Sequence, residues 1–222
     1  MCEQGRHQNN EIVLQSLATD YIEVVQALRT TRLVRGKTCL VSLVRKTAAA
    51  SAGEPYYQDP GNLYVVVLAL NKVRWARLYE ELVGHGCGGT LKVNDFTRRG
   101  SDAIFFWTEG QVSVSGVFRL ENNTPHWLYK RTGQFRAEIR DVDRDGLWEV
   151  IEYCLTRDLD EPYYSQIARQ GYVLAKQIWK WHRVKDAYML WQVVPDREGQ
   201  NRLSPEELLR IPGAKEILRL SR

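Results

Sequence analysis

The chain has 222 residues, 44% hydrophobic and 26% charged, which is the composition of a globular protein able to bury a core of its own. Its longest apolar run, Leu63 to Leu70, falls far short of the ~20 residues of a membrane-spanning helix, so no segment is expected to cross a bilayer. The formal net charge of +4 leaves arginine-rich clusters at Arg29/Arg32/Arg35/Lys37, Arg98/Arg99 and Lys130/Arg131/Arg136/Arg140, interleaved with 27 acids and lacking the aromatics of a nucleic-acid platform. A basic surface can meet a polyanion, but nucleic acid is not the expected partner.

In chain order, residues 1–10 are polar and without apolar periodicity, and read as a flexible tether. The run from Cys2 resembles the start of a mature bacterial lipoprotein, in which a lipidated cysteine precedes such a tether. That implies a lipid anchor at Cys2 and a periplasmic or cell-envelope location; the alternative is an ordinary N-terminus on a cytoplasmic protein. Cys39, Cys87 and Cys154 show neither a C-x-x-C pair nor zinc spacing. Residues 10–30 carry Ile12, Val13, Leu17, Tyr21, Val24, Val25 and Leu28 at helical spacing and predict a helix.

Short strands follow, rich in Val, Ile, Phe, Tyr and Trp and separated by turn residues. They are expected at 38–46, 63–71, 73–80, 90–96, 102–108, 111–120, 126–131, 134–141, 148–156, 172–183 and 187–194. Ser204-Pro205-Glu206-Glu207 opens a C-terminal helix that ends near Arg210, with a last turn over 214–220. The organisation expected is a tether (1–10), a β domain (11–200) and a C-terminal helical segment (201–222).

The β domain contains a degenerate repeat. Leu91 to Gly100 aligns with Ala137 to Gly146, with Asp95 on Asp141, Arg98 on Arg144 and Gly100 on Gly146. A weaker copy spans Leu28 to Leu43, with Gly36 as its turn. Glu54-Pro55-Tyr56-Tyr57 echoes Glu161-Pro162-Tyr163-Tyr164. Each copy holds about four strands, the content of one propeller blade. The fold class expected is therefore all-β, built from about three degenerate four-stranded units with short N- and C-terminal helices.

Asp141-Val142-Asp143-Arg144-Asp145-Gly146-Leu147-Trp148-Glu149 carries the most specific chemistry. Three carboxylates at alternate positions can point inward, Gly146 permits a tight turn, and the turn brings Glu149 round. Calcium takes six to eight oxygens, and a carboxylate-rich loop supplies them. Asp141, Asp143, Asp145 and Glu149 are the candidate side-chain ligands for Ca2+, with the carbonyl of Leu147 between the glycine and the last acid.

This loop, set between two strands in a repeat of this length, resembles the FG-GAP/VCBS-type repeats of bacterial proteins. The resemblance covers residues 28–194 and implies propeller-like blades with calcium in the connecting loop. Only the copy at 141–149 matches the metal pattern in full; the copy at 95–100 has Thr97 and Arg99 in place of acids. Function is then expected to be that of a non-catalytic, calcium-stabilised binding or scaffold module, with an unknown protein or carbohydrate partner. Trp179 and Trp181, alternate residues on one strand, are the best candidate sugar platform.

Two alternatives stand beside it. In an EF-hand reading Glu152 would be the twelfth-position ligand, which requires flanking helices. A hydrolase reading would place a site in the loops 47–61 and 156–171. The glycine-rich stretch Gly84-His85-Gly86-Cys87-Gly88-Gly89 reads as a turn, since a cysteine and histidine two apart on flexible backbone are not held as a catalytic pair.

Overall fold

A computed structural model describes residues 22–46, 61–110, 112–133 and 136–221. They form an all-β fold of three four-stranded antiparallel sheets, each a simple meander. The first sheet holds β1 (Ile22–Thr30), β2 (Cys39–Lys46), β3 (Gly61–Asn71) and β4 (Arg74–Gly86). The second holds β5 (Gly88–Asn94), β6 (Ala103–Glu109), β7 (Val114–Glu121) and β8 (Thr124–Thr132). The third holds β9 (Arg136–Arg140), β10 (Glu149–Leu155), β11 (Leu174–His182) and β12 (Ala187–Pro195). The chain divides into two compact units, Met1–Gly133 with the first two sheets and Gln134–Arg222 with the third.

The repeat is visible in the register. The first two strands of each sheet pair so that Thr30 faces Cys39, Asn94 faces Ala103 and Arg140 faces Glu149. The intervening loops, 31–38, 95–102 and 141–148, have eight residues each. Gly36, Gly100 and Gly146 all adopt positive φ (75°, 80° and 84°), which glycine alone reaches without steric cost.

In the first unit the core lies between the two sheets. Val41, Leu43, Leu63, Val65 and Val67 from the first sheet meet Leu91, Ile104, Phe106 and Phe118 from the second. The other face of the first sheet is covered too, with Ala27, Leu40, Val44, Val66 and Leu68 in a separate cluster.

That two-sided burial explains one correction. The helix expected over 10–30 does not form in its described part, because Ile22–Thr30 is β1. Val24 packs on one face of the sheet while Val25 and Leu28 pack on the other. A strand with apolar residues on both faces mimics helical spacing. Residues 10–21 lie outside the described residues, as do the Cys2 segment, Glu54–Tyr57 and residues 47–60 of the first hydrolase loop.

The glycine-rich stretch is also not a loose turn, since β4 runs to Gly86 and β5 starts at Gly88. A Cβ at Gly86 would collide with the carbonyl oxygen of Glu109, and one at Gly89 with that of Trp107. The glycines are there for close backbone approach.

In the second unit the expected open loop at 156–171 is ordered into a 3-10 turn (Thr156–Asp158) and α1 (Tyr163–Ala168). Ile167 packs against Cys154, Leu159, Ala175 and Val193, and Ala168 against Val173, Ala214 and Ile217. Asp196 caps α2 (Arg197–Asn201), accepting from the Gly199 N–H at 3.2 Å. α3 (Pro205–Arg210) and α4 (Ala214–Leu220) form at the C-terminus as expected, the first with a full Ser204/Glu207 capping box. Among the described residues no helix is long and apolar enough to cross a membrane.

Candidate metal centre

The loop 141–148 joins β9 to β10, so the acidic motif is strand–loop–strand and lacks the flanking helices of an EF-hand. Glu152, the twelfth residue from Asp141, serves a different purpose. It is buried and accepts a hydrogen bond from the Trp179 indole at 3.1 Å.

Comparing the equivalent loops separates what the turn needs from what it does not. In the second sheet Asp95 accepts hydrogen bonds from the backbone N–H groups of Arg99 (2.9 Å) and Gly100 (2.6 Å). Asp141 does the same for Gly146 at 2.9 Å. Arg98 and Arg144, two residues before their glycines, both take positive φ (54° and 62°). One aspartate, an arginine and a glycine therefore suffice for this turn. Asp143, Asp145 and Glu149 have no counterpart in the Asp95 loop, and each accepts a backbone N–H of its own loop: that of Asp145 at 3.3 Å, Leu147 at 2.7 Å and Val142 at 2.8 Å.

The structure brings Asp141, Asp143 and Glu149 together, with one carboxylate oxygen of each within 4.8 Å of the others. Asp145 stands beside them, accepting from the Leu147 N–H at 2.7 Å and from the Lys180 ammonium at 2.7 Å. Leu147 meets the cluster through that N–H.

Glu149 is the anomaly. Its side chain has no solvent exposure. One oxygen, Oε2, accepts from the Val142 N–H at 2.8 Å, while among the described residues Oε1 has no donor, and nor does the buried Oδ1 of Asp141. At the same register position the other two sheets have Cys39 and Ala103, both buried and neither a carboxylate. Burial pushes the Glu149 carboxyl up from its ordinary range, with the Val142 N–H and the Lys180 charge opposing and the charges of Asp143 and Asp145 adding to the rise.

Lys180, which sequence reasoning missed, supplies the local cation. From β11 its Nζ donates to Asp143 Oδ2, lies 2.7 Å from Asp145 Oδ2 and 3.7 Å from Glu149 Oε1. Its hydrogen bond holds Asp145 below the usual carboxylate range, aided by the Leu147 N–H, and those to Asp143 and Asp145 raise the lysine in turn. The spacing of the loop could not reveal a partner on another strand.

Whether the cradle suits a metal is decided by its orphaned atoms. Two buried oxygens without donors, on residues already converging, fit a cation bound by oxygen, and nothing in the set offers nitrogen or sulfur.

Other candidates resolve differently. Trp181 is 8% exposed and Trp179 is bonded to Glu152, so this pair is not an open sugar platform; the exposed indole is Trp191, at 50%. Glu161 accepts from Ser165 Oγ at 2.7 Å and steadies the start of α1, and Asp158 pairs with Arg157. His85 approaches Asn62 (3.2 Å), and Cys87 is an exposed free thiol.

No family model matches the chain, and no curated protein sequence matches it.

Proposed function

We propose that the chain is a non-catalytic binding or scaffold module whose third sheet is stabilised by calcium. The observation that carries this reading is Glu149 Oε1, a fully buried carboxylate oxygen that accepts no hydrogen bond and lies in a cradle with Asp141 and Asp143. Such an oxygen is costly unless a cation meets it. Asp141, Asp143, Asp145 and Glu149 would hold the ion, with Leu147 contributing its carbonyl. A bound ion would neutralise the cluster and pin the β9–β10 connection. The resemblance to FG-GAP/VCBS repeats supports the same reading and supplies the scaffold role.

Thermal unfolding in EDTA and in millimolar calcium tests it. Calcium should raise the midpoint, by the equivalent of ~2.7 kcal/mol once it is a hundredfold above its dissociation constant. Asp143→Ala should lose that response. Asp95→Ala should lower stability by removing the turn's acceptor but leave the calcium response intact. Absence of a calcium shift in the wild type would remove the reading of a calcium-stabilised module.

A second reading concerns the partner. In the first unit the loops 31–38 and 95–102 and the β7–β8 turn line a cleft of about 820 Å³. Arg32, Arg35 and Arg99 lie on it with Ser101, Asn122 and Asn123, and no acid is among the described residues that line it. Asp102, buried behind, holds Arg32 at 2.8 Å. Two arginine clusters far apart in sequence thus meet at one surface, which favours an anionic partner. On immobilised heparin the wild type should elute at higher salt than Arg35→Glu/Arg99→Glu, and equal elution would remove this reading.

A further inference from the structure

The geometry points to Lys180 as a built-in competitor for the cation site: its ammonium and a divalent cation are alternative occupants of one carboxylate cradle, and Lys180 sets how tightly the metal is held. The inference rests on the calcium reading above and adds the residue that tunes it.

Lys180 reaches the same atoms a metal would use. It contacts Asp143, Asp145 and, more remotely, Glu149, three of the four acids in the loop. It fills the cradle poorly. An ammonium has three donors, and Lys180 hydrogen-bonds only Asp143 and Asp145 among these acids. The 3.7 Å to Glu149 Oε1 exceeds hydrogen-bonding reach, and Asp141 Oδ1 is left without a donor as well. Calcium accepts six to eight oxygens and can serve atoms the ammonium cannot. Two cations crowded among the same oxygens would repel, so metal entry requires the lysine to leave.

A resting place for the displaced side chain is already built. The Lys180 ammonium lies 5.2 Å from the centre of the Trp191 ring, on neighbouring β12. The β11–β12 register slips there: Ile178 faces Gln192 while Trp179 faces Leu190, leaving Trp191 as the extra residue of a bulge. A bulge re-aims its side chain, and this one sets a half-exposed indole beside Lys180. The ammonium can swing from the carboxylates toward that ring and water without moving its strand.

The consequence is a site that is never an uncompensated nest of four charges. Without metal, Lys180 supplies one positive charge and lets the strands form. With metal, the free energy of displacing it is subtracted from the binding free energy, so affinity is lower than the acids alone would give.

The test uses the full chain, stripped with EDTA and titrated with calcium chloride by calorimetry, as wild type, Lys180→Met and Asp143→Ala. Alongside it, wild-type amines are labelled with an acetylating reagent with and without calcium, and the Lys180 peptide is quantified by mass spectrometry. Lys180→Met should bind calcium roughly tenfold or more tighter than the wild type. Labelling of Lys180 should rise severalfold with calcium, a readout that needs no variant to fold. Calcium binding by Lys180→Met alone would also support the inference, with Lys180 closing the site. Equal or weaker binding by Lys180→Met, or wild-type binding without a change in Lys180 labelling, would overturn the competition while leaving the calcium site standing. No binding by any variant would remove the calcium reading and the competition with it.

Discussion

Replacing Phe118 with alanine is expected to destabilise the first unit by about 3–5 kcal/mol, read as a lowered urea midpoint. Phe118 sits on β7 without solvent exposure, and its ring centre lies 5.6 Å from that of Tyr79, 6.4 Å from Phe106 and 4.9 Å from Trp127. Phe106 and Trp127 stand on the flanking strands β6 and β8, and their rings meet edge-on at 6.1 Å. Gly116, two residues before Phe118 on the same strand, makes room for both: a Cβ there would come within 2.6 Å of the Phe106 ring and 2.9 Å of the Trp127 ring. Neighbours fixed in this way cannot collapse into the space a phenyl group leaves, which places the loss in the upper part of the range for core truncations. Val73 is 88% exposed in the β3–β4 turn, and Val73→Ala should cost less than about 0.5 kcal/mol. Similar losses at the two positions would mean that the aromatic cluster is not the core of this unit.

Much of this architecture was legible because period-two alternation and turn residues are local signals. Every strand expected from 38 to 194 appears, within about three residues at its ends where described, except that β4 runs six residues past the expected end at 80, to Gly86. The repeat was legible for a different reason. An aspartate five residues before a positive-φ glycine leaves a pattern in the sequence, and Asp95–Gly100 and Asp141–Gly146 make the same hydrogen bond. Its lesson reached further than alignment could, since the eight-residue loops bring Cys39, Ala103 and Glu149 to one register position.

What was not legible depends on tertiary contact. The helical spacing before residue 30 came from a strand covered on both faces, a case in which periodicity cannot discriminate. Within the Gly84–Gly89 stretch, Gly86 and Gly89 allow close backbone approach, and a sequence cannot tell that use from flexibility. α1 was missed because two tyrosines after a proline look like strand or loop until Ile167 and Ala168 find an apolar surface. Lys180 left no trace, since only the β10–β11 pairing brings that stretch of β11 alongside the acidic loop. Trp179 and Trp181 drew attention on either side of it, yet the residue between them makes the contact with the acidic loop.

Glu149→Gln is expected to act in opposite directions with and without metal, the pattern that separates a ligand from a structural carboxylate. With calcium present, the variant loses a charged ligand from the cradle. Changes to groups that merely orient a metal's ligands cost 10–100-fold in affinity, so loss of the ligand itself should cost at least ~100-fold. In EDTA the sign reverses. The wild type then keeps a buried anionic oxygen that accepts no hydrogen bond, beside three other acids and with Lys180 too distant to donate to it. A glutamine retains the acceptor for the Val142 N–H, places a neutral amide where the orphaned oxygen was, and should be more stable by about 1 kcal/mol at neutral pH. The pH dependence follows from the raised carboxyl of Glu149. A group that binds its proton more tightly in the folded state contributes stability in full below its unfolded pKa of ~4.3 and loses it as pH rises through the folded value. The advantage of the variant in EDTA should therefore be absent in acid and grow as pH rises above the ordinary glutamate range. Thermal melts of both proteins in EDTA and in calcium across that range measure all three effects. A variant less stable in EDTA at neutral pH would show that Lys180 already satisfies Glu149, which would remove the observation that carries the calcium reading.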